Sequence, residues 1–307
     1  MKRTSAALTD RPLIAGIGIS HPDRLIYPEL GISKLDFARY FEQVSEWIVP
    51  HVTGRPLTLL HCPAGANEPC RFLKHAKAWG PQALRRVKIQ EKTKVGEYLV
   101  ADSIQGVVAL AQMGIVEIHT WNSTAENIER PNRIVWDLDP GPAVRWTAVV
   151  AAARLLRTVL QTLGLESWVK TTGGQGLHVV APIRPRRDWS ECLAFARTVS
   201  EVIVRSNPTL YTTAFSKRGR ERKILLDYLR NNRTNTSIAA YSPRSRPGAP
   251  VSIPVSWDEL RGSQRQWTLG AVVDRLRRLK EDPWGSYWVS SQGLARESVR
   301  ALARFEF

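Results

Sequence analysis

An apolar strand that ends in two aspartates constrains this chain more than any other segment. Residues 133–136 lead directly into Asp137-Leu138-Asp139, and Pro140-Gly141 then stops the strand. Residues i and i+2 of a strand point to one face, so the two aspartates lie side by side, about 6–7 Å apart along the backbone. Adjacent carboxylates repel unless a cation lies between them, and Mg²⁺ and Mn²⁺ prefer oxygen ligands. The segment predicts a metal site, with a solvated turn carrying two surface aspartates as the alternative.

A third aspartate lies in a second apolar segment. Asp227 follows the apolar residues 224–226. An unpaired carboxylate is expensive to bury, so Asp227 needs a partner. One alternative is an ion pair with Arg222 or Arg230. The other is that Asp227 joins the two strand-end aspartates in a two-metal site, which lowers the pKa of an attacking hydroxyl and neutralises a triphosphate leaving group.

A glycine-rich segment is the third candidate for a functional element. The run Thr171-Thr172-Gly173-Gly174-Gln175-Gly176-Leu177-His178 has three glycines within four positions. Glycine lets backbone N–H groups approach a phosphate closely. The segment is not a Walker loop, because no Gly-Lys-Ser/Thr follows. It predicts either a phosphate-binding turn, to which His178 adds a positive or hydrogen-bonding contact, or an ordinary hairpin turn.

The charge balance favours a polyanionic partner. The chain has 44 Lys and Arg residues against 28 Asp and Glu, a formal net charge of +16. Such an excess supports phosphate contacts and counterion release. Asp227 is bracketed by basic residues: Lys217, Arg218, Arg220, Arg222, Lys223, Arg230, Arg233, Arg244 and Arg246. Charge runs are usually solvated faces, but this one surrounds a candidate metal ligand, which favours phosphate neutralisation.

Cysteine usage and hydropathy predict a cytoplasmic protein. Cys62, Cys70 and Cys192 form no C-x-x-C pair. We therefore expect neither a disulfide nor a structural zinc site, but three small apolar side chains in a reduced compartment. The sequence lacks a run of about 18 apolar residues, which predicts no membrane span. Residues 1–20 lack a signal-peptide pattern.

Periodicity and turn signals predict a mixed α/β chain without strict βαβ alternation. Ser33 and Asp36 form a capping box that opens a helix, and Asp188 is the N-cap of another, which runs to about Ser206. Further helices are expected over 102–113, over 146–163 and from about Thr268. Strands are expected at 57–60, 116–121, 134–138, 167–171, 177–181, 224–228 and 237–241, with the basic stretch 81–96 as an exposed loop or ribbon.

Taken in order, the motifs resemble the archaeo-eukaryotic primase superfamily. More closely, they resemble the polymerase domain of bacterial DNA ligase D, which is used in non-homologous end joining. The likeness rests on strand-Asp-Leu-Asp-Pro, then Thr-Gly-Gly-x-Gly-Leu-His, then Ile-Leu-Leu-Asp-Tyr-Leu-Arg-Asn. It extends from about Ile19 to Leu260 and includes Ile19-Ser20-His21-Pro22-Asp23-Arg24, Phe72-Leu73-Lys74-His75, Val116-Glu117-Ile118-His119-Thr120-Trp121-Asn122 and Ala239-Ala240-Tyr241-Ser242-Pro243-Arg244.

The resemblance implies a role for each matching residue. The metal-binding carboxylates, which hold two Mn²⁺ (or Mg²⁺) ions, are Asp137, Asp139 and Asp227. Positions that bind the NTP or dNTP substrate are Thr172, Gly173, Gly174, His178, His119, Arg230 and Arg244. DNA contacts, including the 5′-phosphate across a gap, fall on His21, Arg24 and Lys34, and Phe72 matches an aromatic residue that stacks on the template strand.

The resemblance also implies a fold. It is a two-lobed α/β (α+β) primase-polymerase fold, with antiparallel sheets flanked by helices and an acidic cleft. Residues 1–18 are expected to be an N-terminal extension and residues 19–307 the primase-polymerase domain, either alone or as part of a larger multidomain DNA ligase. Three positions depart from the family pattern: Arg24 replaces Lys, Arg71 precedes Phe72 where an aromatic pair is common, and Gln175 stands where many relatives carry Lys.

The function that the resemblance implies is template-directed nucleotidyl transfer. The expected enzyme adds NTPs or dNTPs to a 3′-hydroxyl at gaps or double-strand break ends by two-metal catalysis. A Ku-like end-binding protein and a ligase domain are the expected partners, at the nucleoid, without a membrane partner. Two alternatives stay open: a non-catalytic module that binds DNA ends, and a Mn²⁺-dependent D-x-D glycosyltransferase, which the net charge of +16 argues against.

Overall fold

The computed structural model describes residues 11–77, 80–262 and 266–294. Its strands are β1 (Leu13–Ile14), β2 (Ile17–Gly18), β3 (Leu25–Tyr27), β4 (Ile32–Ser33), β5 (Leu57–His61), β6 (Arg71–Leu73), β7 (Arg85–Gln90), β8 (Val95–Val100), β9 (Ile115–Thr120), β10 (Arg133–Pro140), β11 (Trp168–Thr171), β12 (Leu177–Pro182), β13 (Tyr211–Thr212), β14 (Ile224–Asp227), β15 (Ser237–Ile238) and β16 (Pro254–Val255). Its α-helices are α1 (Lys34–Gln43), α2 (Ser45–Val52), α3 (Ile104–Gln112), α4 (Trp146–Thr162), α5 (Trp189–Ser206) and α6 (Leu269–Arg278).

The predicted elements are present, with two differences. The helical spacing after Ser33 is divided between α1 and α2, because Val44 leaves helical geometry with ψ at 9°. The strand predicted over 237–241 pairs only at Ser237–Ile238. The basic stretch 81–96 contributes to a two-stranded antiparallel ribbon, β7 with β8, which confirms the ribbon alternative.

A six-stranded sheet positions most of the predicted site residues. Its order is β13-β14-β10-β12-β11-β16, and every pair is antiparallel except β13 with β14. Strand β10 lies inside the sheet, so Asp137 faces His178 of β12 on one side and Asp227 of β14 on the other. Directly opposed residues project to the same face, which puts these three side chains in one row.

A second, four-stranded antiparallel sheet has the order β15-β9-β5-β6. Strand β9 carries Glu117 and His119, and the edge strand β6 carries Phe72. One continuous apolar cluster includes buried residues of both sheets and of the helices packed against them. The mixed α/β architecture with mainly antiparallel sheets confirms the predicted fold class.

The predicted capping box at Ser33 and the predicted N-cap at Asp188 are both formed, and the second is also a capping box. The Ser33 hydroxyl accepts a hydrogen bond from the Asp36 backbone N–H, and the Asp188 carboxylate accepts one from the Glu191 backbone N–H. The side chain at the N3 position bonds back to the cap N–H in each helix. Such a cap contributes about 1 kcal/mol to helix stability, and it fixes where α1 and α5 begin.

The described part of the predicted N-terminal extension packs onto the rest of the chain. Strands β1 and β2 form a hairpin, in which Ile14 is buried. The Ala15 backbone N–H donates to the Glu42 carboxylate of α1 at 3.2 Å. The division after residue 18 stays a prediction, and residues 1–10 lie outside the described residues.

The prediction for two of the cysteines was wrong. Cys62 and Cys70 form a disulfide, whereas Cys192 is free and buried. The reason is the register of the first hairpin in the four-stranded sheet, where His61 of β5 faces Arg71 of β6. Cys62 and Cys70 lie next to that pair and are therefore brought together. Their sequence separation of 8 matches no metal-binding or redox motif. Within the described residues, no helix is long and apolar enough to span a membrane.

Candidate active site

Two carboxylates face each other across strands β10 and β14. Asp137 and Asp227 are register partners, and the Arg230 guanidinium lies between them. Its Nη2 is 3.2 Å from Asp137 Oδ2 and 2.9 Å from Asp227 Oδ2. Asp137 also lies 3.5 Å from His178 Nε2. Arg230 rather than Arg222 is therefore the ion-pair partner of Asp227, and one cation contacts both carboxylates.

The pKa values of the two facing carboxyls shift in opposite directions. Burial would raise the pKa of Asp137, but its interaction with His178 and the charges of Arg230 and Lys170 outweigh burial and lower it. At Asp227, burial and the negative charge of Asp137 outweigh Arg230, and the pKa is raised. The Arg230 guanidinium contacts both carboxylates, but at Asp227 it does not offset burial and the neighbouring negative charge.

Asp139 lies two residues further along β10, on the same strand face as Asp137. Its side chain is half exposed, and its Oδ2 accepts a hydrogen bond from Arg220 Nη2 at 2.7 Å. Arg220 belongs to the basic loop that precedes β14, and its side chain is only 11% exposed. The Arg220 guanidinium therefore covers one of the two carboxylate oxygens of Asp139.

Two arginines lie across the glycine-rich turn between β11 and β12. Gly173 has a φ of +68°, and a Cβ there would lie 2.6 Å from Arg244 Cγ. A Cβ on Gly174 would lie 2.7 Å from an Arg246 nitrogen. Glycine is required at position 173, because its φ is positive and the Arg244 side chain approaches so closely. Arg244 also donates to the Thr172 carbonyl at 2.8 Å. The turn therefore brings two arginine side chains directly against its backbone.

A cavity of about 360 Å³ joins these groups between the two sheets. Its walls include the three aspartates, the glycine-rich turn and, from the four-stranded sheet, His119, Ser237 and Ile238. The volume is in the range of small-molecule sites in proteins. All ten residues predicted to bind metal or nucleotide, except Gly173, line this cavity directly, and Gly173 is part of the turn that forms its wall.

His178 contributes a hydrogen-bonding group rather than a positive charge. Burial and the nearby Lys170 lower its pKa to about 4. Its Nδ1 is buried without a hydrogen-bond partner among the described residues. The imidazole is neutral at pH 7, so of the two contacts that the sequence suggested, only the hydrogen bond is supported.

A buried carboxylate behind the cavity holds the nucleotide-site residues of the four-stranded sheet. Glu117 accepts hydrogen bonds from His119 Nε2 at 2.9 Å and from the Ser245 backbone N–H at 2.9 Å. Arg244 Nε lies 3.1 Å from the same carboxylate. Burial would raise the pKa of Glu117, but His119 and Arg244 lower it to about 2.

Glu117→Gln tests this network through its pH dependence. A carboxyl whose pKa falls from 4.5 to about 2 on folding stabilises the protein above pH 4.5, and this stability is lost as pH falls towards 2. We expect the variant to lose about 2 kcal/mol of unfolding free energy at pH 7, with the difference shrinking below pH 4.5, as measured by urea denaturation. The surface variant Glu201→Gln, which loses an i,i+4 ion pair with Arg197, should lower the unfolding free energy by only about 0.3–0.5 kcal/mol at pH 7. A loss for Glu117→Gln that does not change with pH would contradict the assignment.

The donor set of the cavity suits hard divalent cations. Within the part of the chain that the structure describes, no three His, Cys, Asp or Glu side chains converge closely enough to hold one metal ion. The reason is visible in the ion pairs, since Arg220 holds Asp139 while Arg230 holds the other two aspartates. The carboxylate oxygens of three aspartates on adjoining strands are nevertheless the ligand type that hard divalent cations prefer.

The residues predicted to bind DNA lie in two separate regions of the structure, and one of them, Lys34, is buried. His21, Arg24 and Lys34 come together where β3 and β4 meet α1, and the Lys34 backbone N–H donates to the Arg24 carbonyl at 2.8 Å. Lys34 is buried with its Nζ 3.0 Å from the Ser20 carbonyl, and burial and Arg24 lower its pKa to about 8. Phe72 is 58% exposed, and its ring centroid lies 5.6 Å from that of His119 at the edge of the cavity.

Sequence reasoning missed three residues of the cavity region as individual site residues. Arg220 and Arg246 were seen only as members of a basic run, in which one arginine is not distinguishable from the next. Glu117 carried a usable signal, because it stands between Val116 and Ile118 in an apolar strand. The argument applied to Asp227, that a carboxylate in an apolar strand needs a partner, applies equally to Glu117.

The chain is similar in sequence to a known protein family and to characterised bacterial proteins. The family described as "LigD, primase-polymerase domain" matches residues 33–284. The multifunctional non-homologous end joining protein LigD of Pseudomonas aeruginosa is 37% identical over 307 residues, covering 98% of this chain and 36% of that protein. Its counterpart in Mycolicibacterium smegmatis is 31% identical over 263 residues, 85% of this chain and 34% of that protein. The chain thus spans about a third of the length of these two relatives.

A solved structure shows the same fold. The polymerase domain from Mycobacterium tuberculosis ligase D in complex with DNA superimposes with a TM-score of 0.83 at 28% sequence identity. The match covers 88% of this chain and 97% of that domain.

Proposed function

Because the chain belongs to the LigD primase-polymerase domain family, we propose that it is a template-directed nucleotidyltransferase. It adds NTPs or dNTPs to a 3′-hydroxyl at gaps or double-strand break ends in non-homologous end joining. The observation that carries the proposal is the cavity between the two sheets, where three carboxylates face a basic glycine-rich turn. Carboxylates hold metal ions and the turn holds phosphates, which together are what phosphoryl transfer needs.

Asp137, Asp139 and Asp227 would hold two divalent ions, Mn²⁺ or Mg²⁺. When bound, such ions would lower the pKa of the attacking 3′-hydroxyl and would neutralise charge on the leaving pyrophosphate. The protein's part is to fix the three carboxylates on two adjoining strands and to release Arg220 and Arg230 from them. Opposed strands hold these side chains more rigidly than a loop would.

The triphosphate lies on the glycine-rich turn in this proposal. The phosphates would approach the backbone of Gly173 and Gly174 together with the Arg244 and Arg246 side chains that lie over these glycines. The N–H groups of Thr172 and Gly174 would contact phosphate by giving up their present hydrogen bonds to the Gly176 carbonyl and to Thr172 Oγ1. Arg244, fixed by Glu117 and the Thr172 carbonyl, adds positive charge. Arg230, displaced from the aspartates, and the neutral imidazoles of His119 and His178 complete the nucleotide contacts.

DNA would bind across the edge of this cavity. The exposed Phe72 ring beside His119 offers a stacking surface for the template base. His21, Arg24 and Lys34 form a basic cluster in which Arg24 Nε is buried without a hydrogen-bond partner among the described residues. Such an unpaired donor suits the 5′-phosphate on the far side of a gap.

The partners follow from the same proposal. A Ku-like end-binding protein would bring the domain to broken ends, and a ligase domain would seal the filled gap. The long relatives, of which this chain matches about a third, are named as multifunctional end-joining proteins. The chain would act in the bacterial cytoplasm at the nucleoid.

Arg220→Gln tests whether this arginine competes with metal for Asp139. Removing the guanidinium frees the carboxylate, so we expect Mn²⁺ to bind about two- to fivefold more tightly, the equivalent of an ion pair worth roughly 0.5–1 kcal/mol. Isothermal titration calorimetry with Mn²⁺ measures the change. Arg218→Gln, an exposed arginine of the same loop, should leave the affinity unchanged. Weaker Mn²⁺ binding in Arg220→Gln alone would show that Arg220 supports the metal site instead.

The reaction products test the proposed activity against its alternatives. Template-matched extension of a primer with release of pyrophosphate supports nucleotidyl transfer. Release of a nucleoside diphosphate from a nucleotide sugar would indicate a glycosyltransferase instead. Tight DNA-end binding with no product under Mn²⁺ or Mg²⁺ would indicate a non-catalytic module.

A further inference from the structure

A second polar cavity lies at the opposite end of β10 from the aspartates. It has a volume of about 300 Å³, and its lining includes Arg55, Asn132, Arg184 and Trp288; we call it the Arg55 cavity. It adjoins the first residue of β10, since Arg133 pairs with Pro182, which lines the cavity. Asp139 lies six residues after Arg133 along the strand, about 20 Å at roughly 3.3 Å per residue. The Arg55 cavity is therefore distinct from the active-site cavity.

Arg55 is buried with most of its hydrogen-bonding capacity unused. The residue is 7% exposed, and its guanidinium makes one hydrogen bond within the described part of the chain, from Nη1 to the Trp121 carbonyl at 3.2 Å. A guanidinium has five N–H donors, so the others are available towards the cavity. No Asp or Glu among the described residues forms an ion pair with it. A buried charge without a counter-ion is costly, and an anion in the cavity would remove that cost.

The charges around Arg55 are also positive. Arg133, likewise buried, lies behind it and donates to the neutral acceptors Asn122 Oδ1 and Thr120 Oγ1. Burial and the charge of Arg133 lower the pKa of Arg55 to about 9. Arg184, on the exposed rim, forms no ion pair within the described ranges. The cavity thus presents an inner and an outer guanidinium with a third behind them, an arrangement suited to an anion with several oxygen atoms.

The remaining lining indicates what carries the anion. Trp288 is 43% exposed at the rim of the cavity, and an exposed aromatic face is a stacking surface for a base. The Asn132 side-chain oxygen is buried without a hydrogen-bond partner among the described residues. It can accept from a sugar hydroxyl or a base amine. These features favour a nucleotide unit over an isolated inorganic ion.

We propose that the Arg55 cavity binds a phosphate group of a single polynucleotide strand, with Arg55 and Arg184 on the phosphate and Trp288 against the adjacent base. Free inorganic phosphate presents the same group to the arginines, and the aromatic rim distinguishes the two sources. No residue of the active-site cavity takes part. Binding at the Arg55 cavity is therefore independent of whether the chain is a polymerase.

Binding to the Arg55 cavity can be measured in the full chain from the ¹⁹F resonance of Trp288. With 5-fluorotryptophan incorporated, the Trp288 resonance in the ¹⁹F spectrum is assigned by its absence from Trp288→Phe. Titration with oligodeoxythymidine is expected to shift this resonance in a saturable way. Arg55→Met and Arg184→Gln should weaken the binding about tenfold, as expected for loss of a charge-assisted hydrogen bond. Arg246→Gln, a matched change in the active-site cavity, should leave it unchanged.

Each other outcome overturns the proposal. The absence of a shift, or a shift that only Arg246→Gln weakens, removes the site. A shift with inorganic phosphate but none with the strand assigns the cavity to free phosphate. An equal shift with oligoglutamate shows a carboxylate site. Arg184 is exposed, so we expect Arg184→Gln to fold. This variant therefore tests the proposal if Arg55→Met does not fold.

Discussion

The Asp139→Ala variant is expected to lose nucleotide addition by a factor of about a thousand or more. Asp139 is one of three carboxylates available for metal ions, and Arg220 is its only ion-pair partner in the described chain. Removing it leaves one ion without a fixed ligand and leaves Arg220 as an unpaired positive charge beside the site. Single-turnover primer extension with Mn²⁺ measures the loss.

Two control measurements distinguish a loss of catalysis in Asp139→Ala from a loss of DNA binding or a general effect of removing an aspartate. DNA affinity of Asp139→Ala, measured by fluorescence anisotropy, should be unchanged or slightly tighter, because a negative charge is removed near phosphates. Asp258→Ala changes an exposed aspartate whose one ion pair in the described ranges is with Arg261, and it should leave extension at the wild-type rate. Extension at near wild-type rate by Asp139→Ala would refute the two-metal assignment.

Asn231→Ala is expected to lower the unfolding free energy by about 3–5 kcal/mol. Asn231 is buried, and its side chain bonds to both the N–H and the carbonyl of Val135 in β10, at 2.9 and 2.7 Å. It also accepts from Asn122 at 3.1 Å and donates to the Tyr228 carbonyl at 2.9 Å. Truncation leaves several buried polar groups unpaired, and each costs roughly 1–3 kcal/mol.

The neighbouring Asn232 provides the control. Asn232 is exposed, so Asn232→Ala should change the unfolding free energy by less than about 0.5 kcal/mol. Urea denaturation of both variants gives the comparison. The short turn Leu229–Asn231 also carries Arg230 to the aspartates, so Asn231→Ala should weaken Mn²⁺-dependent activity as well. A loss no larger than that of Asn232→Ala would show that water replaces the missing bonds.

The parts of this molecule that the sequence predicts are those set by nearby residues. The strand that ends in Asp137 and Asp139, the capping box at Ser33 and the N-cap at Asp188 depend on spacings of a few residues. Such local rules survive in almost any tertiary context. The order of the motifs then supported the resemblance, and the resemblance implied the two-lobed arrangement of antiparallel sheets.

The parts that escape prediction depend on strand register and on long-range contacts. The disulfide between Cys62 and Cys70 follows from the pairing of β5 with β6, which no spacing rule encodes. Arg220 reaches Asp139 across 81 residues of sequence, and nothing distinguishes it from the other arginines of its loop beforehand. Asn231 was part of a recognised motif, but its bonds to β10 required the three-dimensional structure.

We propose that the protein adds template-matched nucleotides at a gap, through the site in the cavity between the two sheets. Primer extension on a gapped duplex, with a downstream 5′-phosphate or 5′-hydroxyl and with Mn²⁺ and either NTPs or dNTPs, tests it most directly. We expect template-matched addition to the 3′-hydroxyl that is stronger when the 5′-phosphate is present. No addition with either metal on DNA that the protein binds tightly would contradict the account.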